Sequence, residues 1–383
     1  MASSLRVKVT APFRSHAAKE RPAHWANEQG TTFKNPWPSF RAHDWQDQYY
    51  IVFQWSKRIP KIPDDIATLL PVAKPTWGLD ADASRDSMKV TWLGHATVLL
   101  EMPARTSINS EDPLPNPPRG IRILFDPIFS ERCSPVQFAG PKRITPSPCQ
   151  VPDLPEIDAV VFSHDHFDHL DANTLRALLA RPHPPHVFAP AGNAPTLHAL
   201  GVPAARCHIL DWWESRRLDL PGGPAVDLTC TPAQHNSGRA FSDRFFDART
   251  LWASWAVEEV IAYFGGDTGY RATRDGVPEA DTPSCPAFAE IGARFGGFDV
   301  AFLPIGAYKA PRFMSPVHCS PRDSVQVFRA LGAKRALGIH WGTFILGEEG
   351  IMDPPREVKE EAAEAGLEED AFTTCGIGET LLF

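Results

Sequence analysis

The run SHDHFDH at residues 163–169 combines the residue types that bind transition metals. Neutral imidazole and carboxylate groups are ligands that suit Zn²⁺. Residues two apart on an extended chain face the same side, so His164 and His166 can grip one ion. A turn directly after them would bring Asp168 and His169 toward a second ion. The spacing therefore predicts a metal centre and disfavours a solvated surface loop.

Further ligands must come from distant parts of the chain, because one loop cannot fill two coordination shells of about four ligands each. Three candidates follow apolar, strand-like runs: His235 in CTPAQH, Asp267 in YFGGDTG and His340 in ALGIHWGTF. A single histidine is more often a core or surface residue than a metal ligand. Three possible ligands at strand ends, added to the loop at 163–169, make metal binding the better explanation. The glycines before Asp267 are expected to let the backbone approach the metals closely.

These ligand candidates lie in a chain whose pattern becomes regular from Met88 onward. The run EIDAVVFS at 156–163 is typical of a strand buried on both faces. Open α/β sheets place their sites at such strand ends. The other predicted strands are 88–94, 96–102, 119–126, 186–190, 207–211, 225–230, 251–257, 260–266 and 298–304. Predicted helices are 172–180, 193–200, 286–295, 320–331 and 355–365, which indicates α/β layers.

Residues 1–87 differ from the rest of the chain, with many aromatic, proline and charged residues. They include FKNPWPSF at 33–40, and a helix is predicted at 45–56. Because aromatic side chains at this density need burial, we interpret 1–87 as an N-terminal extension packed on a catalytic domain at 88–383. Disorder is left open for residues 1–30.

The composition excludes several classes of protein. Of 383 residues, 43% are hydrophobic and 22% are charged, which is typical of a soluble globular protein. A net charge of −8 argues against nucleic-acid binding by bulk charge. Seven cysteines without a CxxC pair disfavour a disulfide framework or a thiolate zinc site. The sequence shows no signal-peptide core and no long apolar run, so an intracellular location is expected, either cytoplasmic or peripheral on a membrane.

The order of the ligand candidates resembles that of the metallo-β-lactamase superfamily. Within it, the chain resembles the N-acylphosphatidylethanolamine-hydrolysing phospholipase D family over roughly residues 33–370. The most specific matching stretches are LDWWE at 210–214, GDTGY at 266–270 and IHWGTF at 339–344. The resemblance implies an α/β fold, the αβ/βα four-layer sandwich, with an N-terminal extension.

The resemblance also implies two zinc ions, with iron or manganese left open. The family's ligands transfer as two groups of three and one bridge: His164, His166 and His235; Asp168, His169 and His340; and Asp267. A carboxylate bridge holds two cations about 3.5–4 Å apart, and water between them loses a proton near neutral pH. The resulting hydroxide is the expected nucleophile.

Other residues are expected to support this chemistry. Asp126 resembles the family's aspartate behind the metal loop and is expected to orient a ligand. His318, in MSPVHCSP, aligns with a site histidine and is expected to protonate the leaving oxygen, with an ordinary loop histidine as the alternative. His95 in LGHAT matches a family position near the site, with an ordinary core histidine as an equal alternative. Asp165 is expected either near the ions or in solvent.

The implied reaction is hydrolysis of N-acylphosphatidylethanolamine to N-acylethanolamine and phosphatidic acid. One alternative is a metal-dependent hydrolase of a small lactone, amide or ester. The other is a non-catalytic metal-binding protein, which is disfavoured because all seven ligand positions are filled. The expected partner is a lipid or small-molecule substrate and not a nucleic acid, while a homodimer is left open.

A lipid substrate requires contact with a membrane surface, so peripheral membrane contact is also left open. Seven aromatic residues are candidates for this contact, with packing on the core as their alternative role: Trp37, Phe40, Trp45, Tyr49, Tyr50, Phe53 and Trp55. Lys309 and Arg312 are candidates for a phosphate contact. The chain departs from the family at 103–120, 236–255 and 271–286. Because loops beside a site set specificity, these departures weaken the substrate assignment but not the metal assignment.

Overall fold

The structure, a computed structural model, describes residues 6–12, 21–78, 87–104, 119–239, 243, 248–259, 261–274, 276–278 and 281–383. Most of the departure predicted at 103–120 lies outside these ranges, as do parts of those at 236–255 and 271–286. The N-terminal extension at 1–87 is also described in part. The described residues include the whole metal-binding run at 163–169.

One layer of the described fold is an eight-stranded mixed sheet. In spatial order its strands are β1 (Lys8–Thr10), β8 (Ser215–Asp219), β9 (Ala225–Thr231), β10 (Ser254–Glu258), β11 (Ala262–Phe264), β12 (Phe298–Pro304), β13 (Ala333–Ile339) and β14 (Phe372–Thr373). The pairs from β1 through β11 are antiparallel, and those from β11 through β14 are parallel.

The second layer is a seven-stranded sheet. In spatial order its strands are β15 (Thr380–Leu382), β2 (Lys89–Trp92), β3 (Val98–Glu101), β4 (Arg122–Phe125), β5 (Ala159–Val161), β6 (His186–Pro190) and β7 (Cys207–Leu210). Strands β4 to β7 are parallel, so their carboxyl ends lie at one edge. The metal-binding run leaves β5 at this edge.

Side chains alternate between the two faces of each strand, so each sheet has one face toward the other sheet and one face outward. The two sheets pack through their inner faces. In β5, Ala159 and Val161 contact the core between the sheets, while Val160 contacts the outer cluster. Phe125 of β4 stacks on Phe264 of β11 with ring centroids 4.5 Å apart, which joins the sheets directly. The prediction of a strand buried on both faces is confirmed.

Helices cover the outer faces of both sheets. The second sheet carries α4 (Ala172–Leu179) and α5 (Ala194–Ala199), and the first carries α6 (Ala287–Phe295), α8 (Pro321–Leu331) and α9 (Asp353–Glu364). Helix α8 begins where Ser320 Oγ accepts the Asp323 amide and ends at Gly332, which has a φ of 62°. The predicted four-layer α/β class is confirmed.

Shorter elements were harder to predict. The helix expected at 45–56 is two helices, α1 (Trp45–Phe53) and α2 (Trp55–Arg58), and α3 (Ile66–Leu69) and α7 (Pro311–Met314) were not predicted. Strands β1, β8, β14 and β15 were also missed. They are short or lie near sheet edges, and β8 carries the charged sequence SRRLD, so none shows a long apolar run.

The described residues within 1–30 contact the rest of the fold, and disorder within 1–30 stays a prediction. Strand β1 pairs with β8. His24 and Trp25 both bond to the Asp211 carboxylate, at 2.6 and 2.7 Å. Nearby, Phe33 is 2% exposed. The division of the chain at residue 87 stays a prediction. Among the described residues, none of the helices combines the length and the apolar character needed to cross a bilayer.

Candidate metal centre

The run at 163–169 forms the loop between β5 and α4. The amides of His169 and Leu170 both bond to the His166 carbonyl, at 3.1 and 2.9 Å, and this closes a turn. The turn predicted after His166 is therefore present, and it brings the His169 ring to 4.1 Å from that of His164. Helix α4 then begins at the Asp171 cap.

A first group of ligand atoms comes from His164, His166 and His235, whose candidate atoms all lie within 4.8 Å of one another. His164 Nε2 lies 2.9 Å from His166 Nδ1. His235 Nδ1 lies 2.7 Å from the Val317 carbonyl and donates to it, so its other nitrogen, Nε2, faces the group. The strand end at β9 thus delivers His235 to the loop after β5, as the sequence predicts.

A second group is formed by Asp168, His169 and His340. Asp168 Oδ2 lies 3.3 Å from His169 Nε2 and 3.6 Å from His340 Nε2. His95 joins this group, and the four candidate atoms lie within 4.8 Å of one another. His340 follows β13, so both sheets contribute to the group.

Asp267 lies between the two groups, after β11. Its Oδ2 is 3.1 Å from His169 Nε2 and 3.9 Å from His235 Nε2, and its Oδ1 is 3.0 Å from His340 Nε2. One carboxylate therefore contacts histidines of both groups. This is the geometry that a bridge between two cations requires.

Unpaired atoms show how well these residues fit a metal. Within the described chain, Nε2 of His169, His235 and His340 and Oδ1 of Asp267 are buried and make no hydrogen bond. Cations among them would satisfy all of them together, and nitrogen with carboxylate oxygen is a donor set that suits Zn²⁺. The arrangement fits divalent cations.

The charges of the centre favour a cation for the same reason. Burial alone would raise the pKa of Asp267, but His169 and His340 outweigh it and hold that pKa well below its ordinary value. Burial lowers the pKa of His340, but Asp267 and Asp168 outweigh it and raise that pKa to about 9. The His169 pKa is likewise raised well above its ordinary value by the neighbouring carboxylates, against the effect of burial. In the metal-free protein, protons on the two histidines balance the carboxylates.

Asp126 supports the ligands from behind. Its Oδ1 accepts the Ser163 amide at 2.7 Å, and its Oδ2 accepts His169 Nδ1–H at 2.6 Å. Ser163 Oγ also lies 2.5 Å from Asp126 Oδ2 and 2.8 Å from His164 Nδ1. Asp126 therefore lies where it orients ligands and does not face the cleft. The role of Ser163 was not predicted, and its only signal was a serine directly before the first ligand.

One expectation near the loop needs correction. Asp165 Oδ1 accepts Ser237 Oγ–H at 2.8 Å and the Gly238 amide at 2.7 Å, so Asp165 is buried and holds these two residues. The alternative of a solvated Asp165 is therefore wrong. A Cβ on Gly266 would lie 2.5 Å from Cβ of Ser163, and the φ of Gly266 is 57°. The glycine is therefore required for the close approach to Ser163, and its role in an approach to the metals stays a prediction.

An open cleft lies beside the first group, with about 850 Å³ of empty space including the open solvent within it. His166, His235 and His318 line this cleft, together with Ile51 and Phe313. His318 Nδ1 lies 3.7 Å from Asp267 Oδ2 and makes no hydrogen bond. Burial lowers the pKa of His318 to about 4 despite Asp267, so its ring is neutral at pH 7 in the free protein.

The predicted phosphate contacts are already paired with carboxylates. Lys309 Nζ lies 2.8 Å from Asp353, and Arg312 Nη2 lies 2.7 Å from Asp44. These pairs hold the segment after β12 to α9 and to the start of α1. Both residues therefore have a structural role, and their contact with a phosphate stays a prediction.

This chain is similar to known metal-dependent hydrolases in sequence and in fold. The model of the β-lactamase superfamily domain matches residues 121–341. N-acyl-phosphatidylethanolamine-hydrolyzing phospholipase D 1 of Caenorhabditis elegans is 33% identical over 83% of this chain and 82% of its own length. The mitochondrial N-acyl-phosphatidylethanolamine-hydrolyzing phospholipase D of Saccharomyces cerevisiae is 29% identical over 92% of this chain and 75% of its own. An isothiocyanate hydrolase from Delia radicum gut bacteria has 20% identity and a TM-score of 0.51, covering 77% of this chain and 99% of its own. The last likeness concerns the fold alone.

Proposed function

The chain belongs to the metallo-β-lactamase superfamily and is a metal-dependent hydrolase, and from this premise we propose that it is a dinuclear zinc phosphodiesterase. The proposed reaction cleaves N-acylphosphatidylethanolamine to N-acylethanolamine and phosphatidic acid. The observation that carries the proposal is the contact of Asp267 with histidines of both ligand groups. The two phospholipase relatives support the substrate class.

The proposed roles follow from which atoms face the centre. When bound, zinc ions lower the pKa of water toward neutrality and offset the charge of a phosphate. His235 presents Nε2 because its Nδ1–H is held by the Val317 carbonyl, and His169 presents Nε2 because Asp126 holds its Nδ1–H. Both ring orientations are thereby fixed before a metal arrives.

His318 is proposed to contact the leaving oxygen, because it lines the cleft and its Nδ1, without a hydrogen bond, lies 3.7 Å from Asp267 Oδ2. As a neutral ring it can donate one hydrogen bond, and proton transfer would require the charge of a bound phosphate to raise its pKa. A His318→Gln variant that keeps its metals and its full rate would remove this role.

Access to a lipid is proposed to run over helix α1. Ile51 of this helix lines the cleft. Trp45, Tyr49 and Phe53 lie four residues apart on one side and are 75%, 54% and 55% exposed. The exposed cations Lys57 and Arg58 follow in α2 and suit an anionic lipid surface. Peripheral contact with a bilayer through this face follows from the proposal.

The other aromatic candidates have packing roles. Trp37 stacks on Trp212 with centroids 5.4 Å apart, and Tyr50 donates to Glu348 at 2.5 Å. Phe40 and Trp55 are partly buried. The seven aromatic residues singled out in the sequence therefore reduce to the three exposed ones on α1.

The test is a substrate panel with purified full-length protein. N-acylphosphatidylethanolamine in mixed micelles, a soluble phosphodiester, a lactone, an amide and an ester are assayed with and without chelator. We expect chelator-sensitive release of N-acylethanolamine, at a rate above every other substrate. A preference for the lactone, amide or ester would establish the alternative hydrolase, and no turnover of any substrate would contradict the proposal.

A further inference from the structure

We propose that His95 is a positioning residue that holds Asp168 in place for the second metal. The inference rests on the proposed two-metal site. His95 follows β2 in the LGHAT stretch, is completely buried, and lies with its Nε2 3.0 Å from Asp168 Oδ2. It does not belong to the seven ligands that the family resemblance implies.

The contact defines the state of the His95 ring. An ionised carboxylate can only accept hydrogen bonds, so Nε2 of His95 must carry the proton. The other nitrogen, Nδ1, is buried and has no partner within the described chain. His95 is therefore a neutral ring in one tautomer with its donor aimed at Asp168.

The backbone of His95 is fixed from three directions. Its amide donates to Thr343 Oγ1 at 2.7 Å, and its carbonyl accepts Trp92 Nε1–H and the His340 amide, each at 2.8 Å. Its ring also lies 4.0 Å from that of His340. His95 thus bonds to one proposed ligand through its backbone and to another through its ring.

These bonds hold an unusual backbone conformation. The φ of His95 is 51°, in the left-handed region that non-glycine residues rarely adopt. Asparagine tolerates this region better than most residues, whereas glutamine does not. Relief of the backbone strain therefore favours asparagine at position 95, whereas a side chain long enough to reach Asp168 favours glutamine.

Three of the other proposed ligands already have support of this kind. His169, His164 and His235 are each held by a donor or acceptor outside the ligand set, namely Asp126, Ser163 and the Val317 carbonyl. The Asp168 side chain is 16% exposed. A carboxylate has about four acceptor positions, so Asp168 can accept from His95 and still bind a cation. Among the described residues, His95 supplies the support from outside the proposed ligand set.

The experiment compares two substitutions by calorimetric titration of zinc into metal-free full-length protein. His95→Gln places an amide N–H near the original Nε2, while His95→Asn suits the backbone but is too short. We expect His95→Gln to keep the second zinc affinity within about threefold and His95→Asn to lose about 10–100-fold, with the first affinity unchanged in both. A purely structural role predicts the reverse order, because asparagine relieves the strain.

Two further readings make the result decisive. Cobalt absorption spectra of His95→Gln should match those of the wild type. A changed spectrum, together with equal losses of the second zinc affinity in both variants, would make His95 a direct ligand and overturn the inference. Nitrogen NMR of zinc-loaded wild type should show a proton on Nε2 and none on Nδ1 of His95, and the opposite tautomer would also overturn it. Wild-type protein that binds fewer than two zinc ions would instead refute the proposed function. Two unchanged affinities in His95→Asn would refute this inference alone.

Discussion

The Oδ2 atom of Asp126 lies 2.6 Å from Nδ1 of His169, and neither side chain is exposed to solvent. This contact leaves Nε2 of His169 facing Asp168 and Asp267. A residue at the end of β4 thereby fixes the orientation of a ligand that follows β5. The metal centre depends on the buried hydrogen bonds behind the ligands as well as on the ligands themselves.

Asp126→Asn should weaken zinc binding by about 10–100-fold, as is typical when a carboxylate behind a ligating histidine is lost. The amide keeps the size of the side chain but halves its acceptors, so His169 and Ser163 cannot both be satisfied. Competition with a chromophoric chelator measures the effect. Wild-type affinity in a folded Asp126→Asn protein would contradict the orienting role.

Asp267→Asn should remove the bridge, releasing metal and lowering turnover by more than about 100-fold, because a ligand contributes more than its supports do. Asp165→Asn is the matched control. It lies between two ligands in sequence, yet its oxygens bond to Ser237 and Gly238. Elemental analysis should find metal in the control and little in Asp267→Asn. Equal metal in both, with full turnover, would disprove the bridge.

Zinc affinity should rise with pH up to about pH 9. The pKa of His340 in the metal-free protein is about 9, and that of His169 is also raised, so protons occupy both rings at pH 7 and compete with metal. As pH rises through these pKa values the competition disappears, and as pH falls it grows. Titration at pH 7 in buffers of different ionisation enthalpy should show release of about two protons. Affinity that is constant from pH 6 to 9, without proton release, would contradict this charge balance.

Replacing Trp45, Tyr49 and Phe53 together by serine should lower binding to anionic vesicles at least about tenfold, because exposed aromatic area is what such a surface buries. Hydrolysis of a soluble diester should be unchanged. Point variants are preferable to a deletion here, because Phe33 and Trp37 of the same segment pack into the core.

Phe138, which is 85% exposed and lies outside α1, is the matched control for this variant. Phe138→Ser should keep wild-type vesicle binding. If the triple variant binds vesicles as the wild type does, or if both substrates lose rate equally, the bilayer contact is not made by α1.

Much of the centre could be predicted from sequence because its signals are local. The ligands of the loop follow a buried apolar run, and Asp267 and His340 each follow another. Because strand ends meet at an edge of a sheet, placing the strands also placed these ligands. The supports of the ligands gave no comparable signal. Ser163 became visible only through its contacts with Asp126 and His164.

His95 shows why such supports escape prediction. Its φ of 51° depends on bonds to Thr343 and His340, almost 250 residues away in the sequence. Pairings between distant residues leave no periodic pattern in one sequence. The edge strand β1 and its neighbour β8 were missed for a related reason, since their pairing with other strands defines them more than their own composition does.

The central claim is that seven side chains hold two cations bridged by Asp267. Anomalous diffraction at the zinc edge, from crystals grown with zinc, tests it most directly. The predicted result is two peaks about 3.5–4 Å apart, one among His164, His166 and His235, the other among Asp168, His169 and His340, with Asp267 in contact with both. A single peak, or peaks away from Asp267, would contradict the account.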